Sequence, residues 1–570
     1  METLSSRPRL RFAVLCDGET VEQWQLQAID HLERAGLAEC VAIVLPEAGP
    51  ANPPRRGRQF NRNSLYNLYF RRVSRRCHAK APAPIARGRP NARVVRVEIE
   101  PRPKGRTALA PGGLAELAAL DLDFAVRLGF GILSGDILRL PRHGVWSYHH
   151  GDPSRFRGQP PGVWEIYHAS PVTGAIVQRL DETLDGGEIL ARASFLTFGG
   201  SYVRQLDALL DGSTSLLANT ARHCAVHGDT PKVATGAPGP IYRKPTNGEM
   251  LRLVLVMAAN RLRAVLGSFV RHQQWALVVA NARLETVLGN GMDVPLDRYL
   301  DSAVAVSEEK GMFAADPFLV PRADSPDSGP EIVFERFDWR SGKGHIASVG
   351  AEDGGRFSPP VPVLELETHL SYPFVSSRNG KATIVPESCD GGRLVEYALG
   401  SVEAGARPVH DHGAAVLDPT ILFHNGRYWM FYCGDAHNSR LCIRHADSAD
   451  GPWTEHALNP VKIDVGNARP AGPIMERGGA LYRPAQICAP IYGQGIVFNR
   501  IVRLDEDCFI EEPVASIVPA RTGRYRHGVH TVAEGDGILV FDHARMTFSV
   551  HEALRQLSGK LGKLLVKDLP

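Results

Sequence analysis

None of the nine cysteines (Cys16, Cys40, Cys77, Cys224, Cys389, Cys433, Cys442, Cys488 and Cys508) belongs to a CxxC pair, none stands at a Cys/His zinc spacing, and the total is odd. This excludes a disulfide framework or a zinc module as the basis of the fold, predicts no metal site, and points to a reducing compartment, the cytoplasm. Long apolar runs are missing too. Residues 1–11 carry no apolar stretch ending in a small-residue cleavage site, and the most apolar segment, 253–260, is bounded by Arg252 and Arg261. The sequence therefore predicts neither a leader nor a transmembrane segment. Nor is one sign of charge in excess: 65 Lys and Arg against 62 Asp and Glu leave +3, which excludes a nucleic-acid binder of the kind recognised by net charge.

What is present is a 570-residue chain, 44% hydrophobic, with 56 Gly and 41 Pro. That is enough for three or four domains, or two large ones, built with many turns. Residues 8–45 read as a strand, a turn at Asp17-Gly18, an amphipathic helix over 23–35 and a second strand over 40–45. This β-α-β order predicts a parallel sheet with helices on its faces. Between 51 and 106 stand 16 Lys or Arg and two acids, a local +14 against −11 for the remainder. We expect a basic insertion in which Phe60, Leu65, Leu68, Tyr69 and Val73 stripe one helix face. It reads as solvated surface, or as a patch for phosphate groups or an anionic membrane.

The alternation resumes with a helix over 112–119, a strand over 124–128, a helix over 135–140 and a strand over 144–148 that runs into His149-His150-Gly151-Asp152. The next strand, 172–180, ends in the loop Asp181 to Gly187. Two strand ends thus deliver polar groups to one side of one sheet, where such sheets bind ligands. Residues 246–288 read as a packing or connector helix. Beyond 300, openings of similar pattern recur at Asp316-Pro317, His369 to Pro373, Asp418-Pro419, Arg469-Pro470 and His527 to His530, spaced 49 to 58 residues apart. Five units of this length predict a five-bladed propeller with four strands per blade, with hairpin turns at Asn379-Gly380, Asn425-Gly426 and Gly478-Gly479. The predicted organisation is an α/β Rossmann-like domain over 1–205 carrying the insertion 51–106, a helical connector over 206–299, an all-β propeller over 300–555 and a tail over 556–570.

The run Ser147-Tyr-His-His-Gly-Asp-Pro-Ser-Arg-Phe-Arg-Gly158 resembles the segment Asn-x-His-x-x-x-x-Pro-x-x-Arg-Gly of the folate-dependent formyltransferase family, with His149, Arg157 and Gly158 in register. The run from Leu180 to Leu190 resembles that family's second signature, an Asp followed by two glycines and an acid, and Leu128 to Leu133 with Leu140-Pro141 match what precedes the first. The resemblance covers residues 8–200. It implies transfer of a formyl group from 10-formyltetrahydrofolate to a primary amine, with Ser147, His149 and Asp185 as catalytic residues. It also implies a cofactor cradle formed by Leu128, Gly129, Phe130, Asp181, Glu182, Gly186 and Gly187. The residue types suit acyl transfer to nitrogen, which needs a donor for the developing oxyanion, a base for the amine's proton and a carboxylate to orient that base. One position departs: Ser147 stands where the family has Asn. A hydroxyl is shorter than a carboxamide, so either a water or His150 fills the gap, or the reaction differs.

The second half resembles, through Asp418 to Tyr432, the five-bladed propellers of carbohydrate-active proteins. Through His369 to Pro373, Val385 to Glu387 and Leu481 to Gln486 it is also similar to the propeller-like domain that accompanies some sugar transferases. The first likeness implies a channel lined by Asp316, Glu387 and Asp418, with His369, Arg483 and His530 beside them. The expected function is an N-formyltransferase acting on an amino sugar or other small amine, with a glycan or anionic surface met at the propeller or the basic insertion. A propeller in place of the small barrel of the initiator-tRNA member argues against tRNA. Two other readings remain: a carbohydrate-binding protein or glycosidase with a degenerate first domain, and a formyl hydrolase in which water replaces the amine.

Overall fold

The computed structural model describes residues 9–555 apart from 35, 48–59, 184–185, 235, 301–302, 307–308, 321–329, 353–355 and 400–405. The predicted tail 556–570 and Asp185 lie outside the described residues. The chain divides into two compact units, residues 1–261 and 262–570.

In the first unit β1 (Leu10–Leu15), α1 (Gln23–Arg34) and β2 (Ala38–Pro46) form the expected β-α-β element. There follow α2 (Ser64–Ser74), β3 (Arg93–Val97), α3 (Pro111–Ala118), β4 (Phe124–Arg127), β5 (Val145–His149), β6 (Val172–Arg179) and β7 (Glu188–Leu196), then α4 (Tyr202–Gly212) and α5 (Leu216–His227). The strands make one seven-stranded sheet in the order β7-β6-β5-β4-β1-β2-β3. Strands β5 to β3 in that order run parallel, and β1, β2, β4 and β5 are built on apolar runs, as strands covered on both faces are, while β3 at the edge carries Arg93 and Arg96. The sheet is not wholly parallel, however, because β6 and β7 join as an antiparallel pair. The helix expected over 135–140 is a single 3-10 turn, Asp136–Leu138.

The basic segment is not simply an insertion. Its β3 is the edge strand of the main sheet, with Val95 and Val97 buried in the core. Tyr66 and Val73 of α2 are buried and Leu65 and Tyr69 pack beside them, but Phe60 and Leu68 are exposed. Nor is its charge left to itself. Acids from elsewhere in the unit meet it: Asp30 and Glu33 pair with buried Arg89 at 2.6 and 2.8 Å, Glu22 with Lys80, Glu116 with Arg93 and Glu182 with Arg106.

Asn247–Val270 is a 24-residue helix, α6. By length and composition alone it is apolar enough to cross a membrane, which the sequence expectation did not anticipate, and little of its apolar stretch is buried. The helical reading fails beyond it: His272–Ala280 is a strand, so the β-rich part begins near 272 and the expected connector 206–299 does not exist as one element.

Five sheets, antiparallel but for the short strand Val294–Pro295 that joins the fourth in parallel, occur among the described residues of the second unit. The first holds Met312–Val320, Glu331–Asp338 and Lys343–Glu352, and the second Ser371–Arg378, Lys381–Glu387, Arg393–Ala398 and Arg407–Ala414. The third holds Leu417–His424, Arg427–Cys433 and Arg440–Ala446; the fourth Met475–Arg477, Ala480–Gln486, Ile496–Leu504 and Phe509–Val518. The fifth joins His272–Ala280 to Ile538–Thr547 and Val532–Gly535, so that both ends of the unit share one sheet. The three expected hairpin turns have both central residues at positive φ, the geometry that Asn-Gly and Gly-Gly pairs supply.

In three sheets the first strand carries a bulge at the residue before a proline, and that residue (Asp316, Tyr372 or Asp418) has φ of 52, 43 or 50°. Left-handed backbone at a non-glycine residue is costly and persists only where neighbours enforce it. Here each bulge turns its N–H toward a carboxylate: Asp316 donates to Asp542 at 3.0 Å, Tyr372 to Asp316 at 3.3 Å and Asp418 to Glu387 at 3.1 Å.

Candidate functional site

Ser147 and His149 stand two residues apart on β5 and therefore project from the same face of the sheet. Ser147 is in register with Arg127, the last residue of β4. The guanidinium of Arg127 folds back along the strand end, donating from Nε to the Gly131 carbonyl at 2.7 Å and from Nη1 to Ser147 Oγ at 3.1 Å. Ser147 Oγ–H in turn donates to the Tyr148 carbonyl at 3.3 Å. His149 is half-buried at the strand end; a methyl group on Gly151 would lie 3.2 Å from its Nε2, so the glycine leaves the imidazole its room. His150 is turned the other way. It contacts Ser213 Oγ at 3.1 Å and lies edge-on to Trp24, which turns it away from Ser147, and burial pushes its pKa down to about 3.

The expected cofactor residues divide. Leu128 and Gly129 donate their N–H groups to Leu15, and Phe130 N–H donates to Asp17 Oδ1 at 2.6 Å. The Phe130 ring is buried in the sheet core with Leu15, Leu133 and Ile137, so its side chain is a packing element and not part of a ligand cradle. Asp181 accepts from Thr183 N–H at 2.7 Å, capping its own loop. Glu182 receives Arg106 at 2.8 Å and Gly135 N–H at 2.8 Å, fixing the loop to the far side of the crevice. Gly187 is required by the chain itself, since a Cβ there would lie 2.1 Å from the Arg179 carbonyl. Beside Glu182 opens a cavity of about 660 Å³ lined by Arg102, Lys104, Arg106, Ser134 and Asp136. A second, of about 640 Å³, is lined by Trp24, Tyr66, Lys80, His150 and Gln159.

In the second unit Asp316, Glu387, Asp418 and His530 come together as a buried polar cluster, joined by Glu335, Arg469, Gln486 and Asp542, none of which was among the expected channel residues. Asp418 is held by Arg469, with Nη2 to Oδ1 at 2.9 Å, and by Gln486 at 3.0 Å. Asp542 accepts from His530 and Thr531 N–H at 2.9 and 3.0 Å, and His530 Nδ1 lies 2.8 Å from it. Asp316 receives the Thr531 hydroxyl at 2.7 Å. Burial pushes Asp316 up to about 6 and, with the neighbouring carboxylates, holds Glu335 well above the usual range. Burial acts against the charge of His530, but the Asp542 and Asp316 carboxylates outweigh it and raise its pKa.

Asp316, His530 and Asp542 offer ligand atoms within 4.8 Å of one another, the spacing of a metal site. Their lone pairs, however, already take backbone and hydroxyl donors, so the trio reads as a hydrogen-bonded lock. Two expected channel residues are placed differently. Arg483 is not in this cluster: it pairs with Glu511 at 2.6 Å and donates to the Asn467 and Ala468 carbonyls, because its strand position points it between strands of its own sheet. The arginine of the cluster is Arg469. His369 accepts from Gly344 N–H at 2.8 Å and stands 3.8 Å from Glu335, at the cluster's edge.

Comparison with known proteins agrees with this division. Residues 77–208 match the Formyl transferase family, and residues 301–529 match the N-terminal part of glucosamine inositolphosphorylceramide transferase 1. The rice (Oryza sativa subsp. indica) glucosamine inositolphosphorylceramide transferase 1 is 30% identical over 280 residues, 45% of this chain and 36% of that protein. Methionyl-tRNA formyltransferase of Caulobacter vibrioides is 43% identical over 81 residues, 14% of this chain and 26% of that protein. The chain thus spans about a third and a quarter of these two relatives. A family 117 glycoside hydrolase of Zobellia galactanivorans aligns in structure over 44% of this chain and 89% of its own, with 13% identity and a TM-score of 0.30. The chain is a fusion of a formyltransferase-family domain with a β-rich domain resembling the N-terminal part of glucosamine inositolphosphorylceramide transferase 1.

Proposed function

We propose that the first unit transfers a formyl group from 10-formyltetrahydrofolate to the primary amine of an amino sugar, and that the second unit is a five-bladed propeller that holds the glycan bearing this amine. The observation that carries the reading is His149 at the end of β5, on one sheet face with Ser147 and Arg127, inside a segment that matches formyl transferases. The residues fit the folate: the 660 Å³ cavity beside Glu182 has the volume of a small-ligand site, and Arg102, Lys104 and Arg106 suit a ligand with a carboxylate tail.

When bound, the folate supplies the formyl carbon as electrophile. His149 takes the proton of the attacking amine and returns it to the departing folate nitrogen, so one C–N bond forms as another breaks and the proton count is unchanged. The sugar acceptor is inferred from the relative whose name carries glucosamine, an amine-bearing sugar. For the second unit, hydrogen bonds that link first sheet to second, second to third, third to fourth, fourth to fifth and fifth to first support a closed ring of blades. Binding fits that ring better than hydrolysis, because cleavage needs one carboxyl with a proton to give and a second free to attack or activate water. Asp316 and Asp418 instead spend their oxygens on the ring itself. We place the reaction in the cytoplasm, as the unpaired thiols suggest.

The test is incubation with 10-formyltetrahydrofolate and glucosamine, a glucosamine-bearing inositol phosphate, or buffer alone, with mass spectrometry of the products. Formamide on the sugar supports transfer. Formate released equally without any amine would favour the hydrolase, and no consumption of the folate would favour the binding-only reading.

A further inference from the structure

We propose that the second cavity of the first unit, that of about 640 Å³, is a binding site for a phosphorylated sugar, with Arg71 and Lys244 taking the phosphate and Tyr66 a ring hydroxyl. Such a site goes beyond formyl transfer and does not depend on it. Tyr66, Asn67, Phe70 and Arg71 of α2 stand at i, i+1, i+4 and i+5, and so share the helix face that lines the cavity. The segment carrying Lys244 is tied to the start of the same helix, because Asn63 Nδ2 donates to the Lys244 and Pro245 carbonyls at 2.9 Å.

The charges of the lining do not cancel. Arg71, Lys80 and Lys244 face one acid, Glu22. Glu22 is already taken: one oxygen pairs with Lys80 and the other accepts Trp24 Nε1–H at 2.8 Å. Among the described residues no carboxylate pairs with Arg71 or Lys244, so two positive charges are left at one cavity. The cavity beside Glu182 differs, since Glu100 and Glu182 meet its Arg102 and Arg106 at 2.7 and 2.8 Å. A guanidinium and an ammonium suit a phosphate, whose oxygens take charged donors strongly. His150 adds no charge of its own, because burial keeps its imidazole neutral. A bare amino sugar, itself a cation, would be repelled here; a phosphate reverses that.

Tyr66 lacks a partner as well. It is 4% exposed and lines the cavity, yet its hydroxyl has no hydrogen-bond partner among the described residues. Buried hydroxyls are as a rule paired. Burial also holds this phenol above its ordinary range, so that it stays a neutral donor. Beside it Trp24, Phe70, Leu206 and Leu210 give an apolar wall against which the carbons of a ring can pack. Inorganic phosphate would leave both the wall and the hydroxyl unused. A phosphate ester of a sugar or inositol ring uses the cations, the hydroxyl and the wall together.

The experiment is titration calorimetry on the full chain with glucose 6-phosphate, glycerophosphoinositol, glucose, inorganic phosphate and uridine 5′-monophosphate. The monoester stands for a free sugar phosphate and the diester for a lipid headgroup, and the tighter of the two identifies the source. At least one should bind at one site, about 10-fold or more tighter than glucose or inorganic phosphate, and weaken from low to physiological salt. Arg71→Met and Lys244→Met should each cost about 10 to 100-fold. Tyr66→Phe should cost about 3 to 10-fold for the ester and nothing for inorganic phosphate, with an unchanged melting transition that sets binding apart from packing. Lys104→Met, in the other cavity, should leave the affinity as it was. Inorganic phosphate bound as tightly as both esters would overturn the sugar, and the nucleotide bound about 10-fold more tightly would give the cavity to a base instead. A loss in Lys104→Met with none in Arg71→Met or Lys244→Met would move the site to the cavity beside Glu182. Absence of binding by either ester at millimolar concentration would overturn the proposal outright.

Discussion

His149 and His530 each stand among polar neighbours at the edge of a sheet, and they differ in what surrounds their partners. His530 is 2% exposed, and its carboxylates, Asp316 and Asp542, also receive backbone N–H groups from two strands. His149 is half-buried at the end of β5, with a serine and an arginine on its face. The first arrangement satisfies buried backbone donors that the bulges leave without a ladder partner; the second involves no such bulge, and its serine oxygen receives a guanidinium instead. Carboxylates grouped at strand starts therefore do not by themselves signal chemistry. What distinguishes the cases is where the lone pairs go.

The comparison breaks most visibly at His149. His149→Ala should lower formyl transfer by about 100 to 10,000-fold with no shift in the melting transition, measured by turnover and calorimetry. Unchanged turnover would remove the first unit's site. Asp542→Ala should do the reverse, leaving three buried N–H groups and a buried imidazole without their acceptor and destabilising the second unit by about 3–5 kcal/mol in denaturant titration. A loss under about 1 kcal/mol would mean the lock is not what joins these sheets.

Next in size is a pH effect. Burial raises Glu165, on the helix Val163–Tyr167, to about 7. A carboxyl raised in the folded state stabilises fully below its unfolded pKa near 4.5, and that contribution is lost as pH rises toward 7. The first unit should therefore lose up to about 3 kcal/mol across that window, and Glu165→Gln should flatten the decline. An unaltered slope would place the titrating group elsewhere. The smallest effect belongs to the basic segment. Because acids of α1 and α3 already meet its arginines, we expect only weak binding to anionic vesicles, falling further from low to physiological salt. Tight, salt-resistant binding would mean that those pairs open.

Much of the first unit was legible because a buried parallel strand announces itself as an apolar run, and β1, β2, β4 and β5 are such runs. β3 was hidden because Arg93 and Arg96 flank its valines at a sheet edge, where basic residues are tolerated and look like surface. The repeat in the second unit was legible through the x-Pro bulges, and its hairpins through Asn-Gly. The strand His272–Ala280 was not, because its apolar run follows α6 directly and period alone cannot tell a short buried strand from more helix. At the site, Ser147 and His149 could be read from a motif. Arg127 could have been found only as a charged residue ending an otherwise apolar strand, and Arg469 by asking which arginine precedes the fourth x-Pro opening.

The pairing of His272–Ala280 with Ile538–Thr547 has a consequence for biosynthesis. The first strand of the β-rich unit leaves the ribosome about 260 residues before its partner. At the usual pace of synthesis that is a wait of roughly 13–50 s, during which an apolar strand edge has nothing of its own to bind. The first unit can finish folding in that interval, while the second must remain open at one edge until nearly its last strand is made. Nascent chains stalled before residue 538 should therefore recruit holdase chaperones to the segment after α6, and chains released beyond 547 should not.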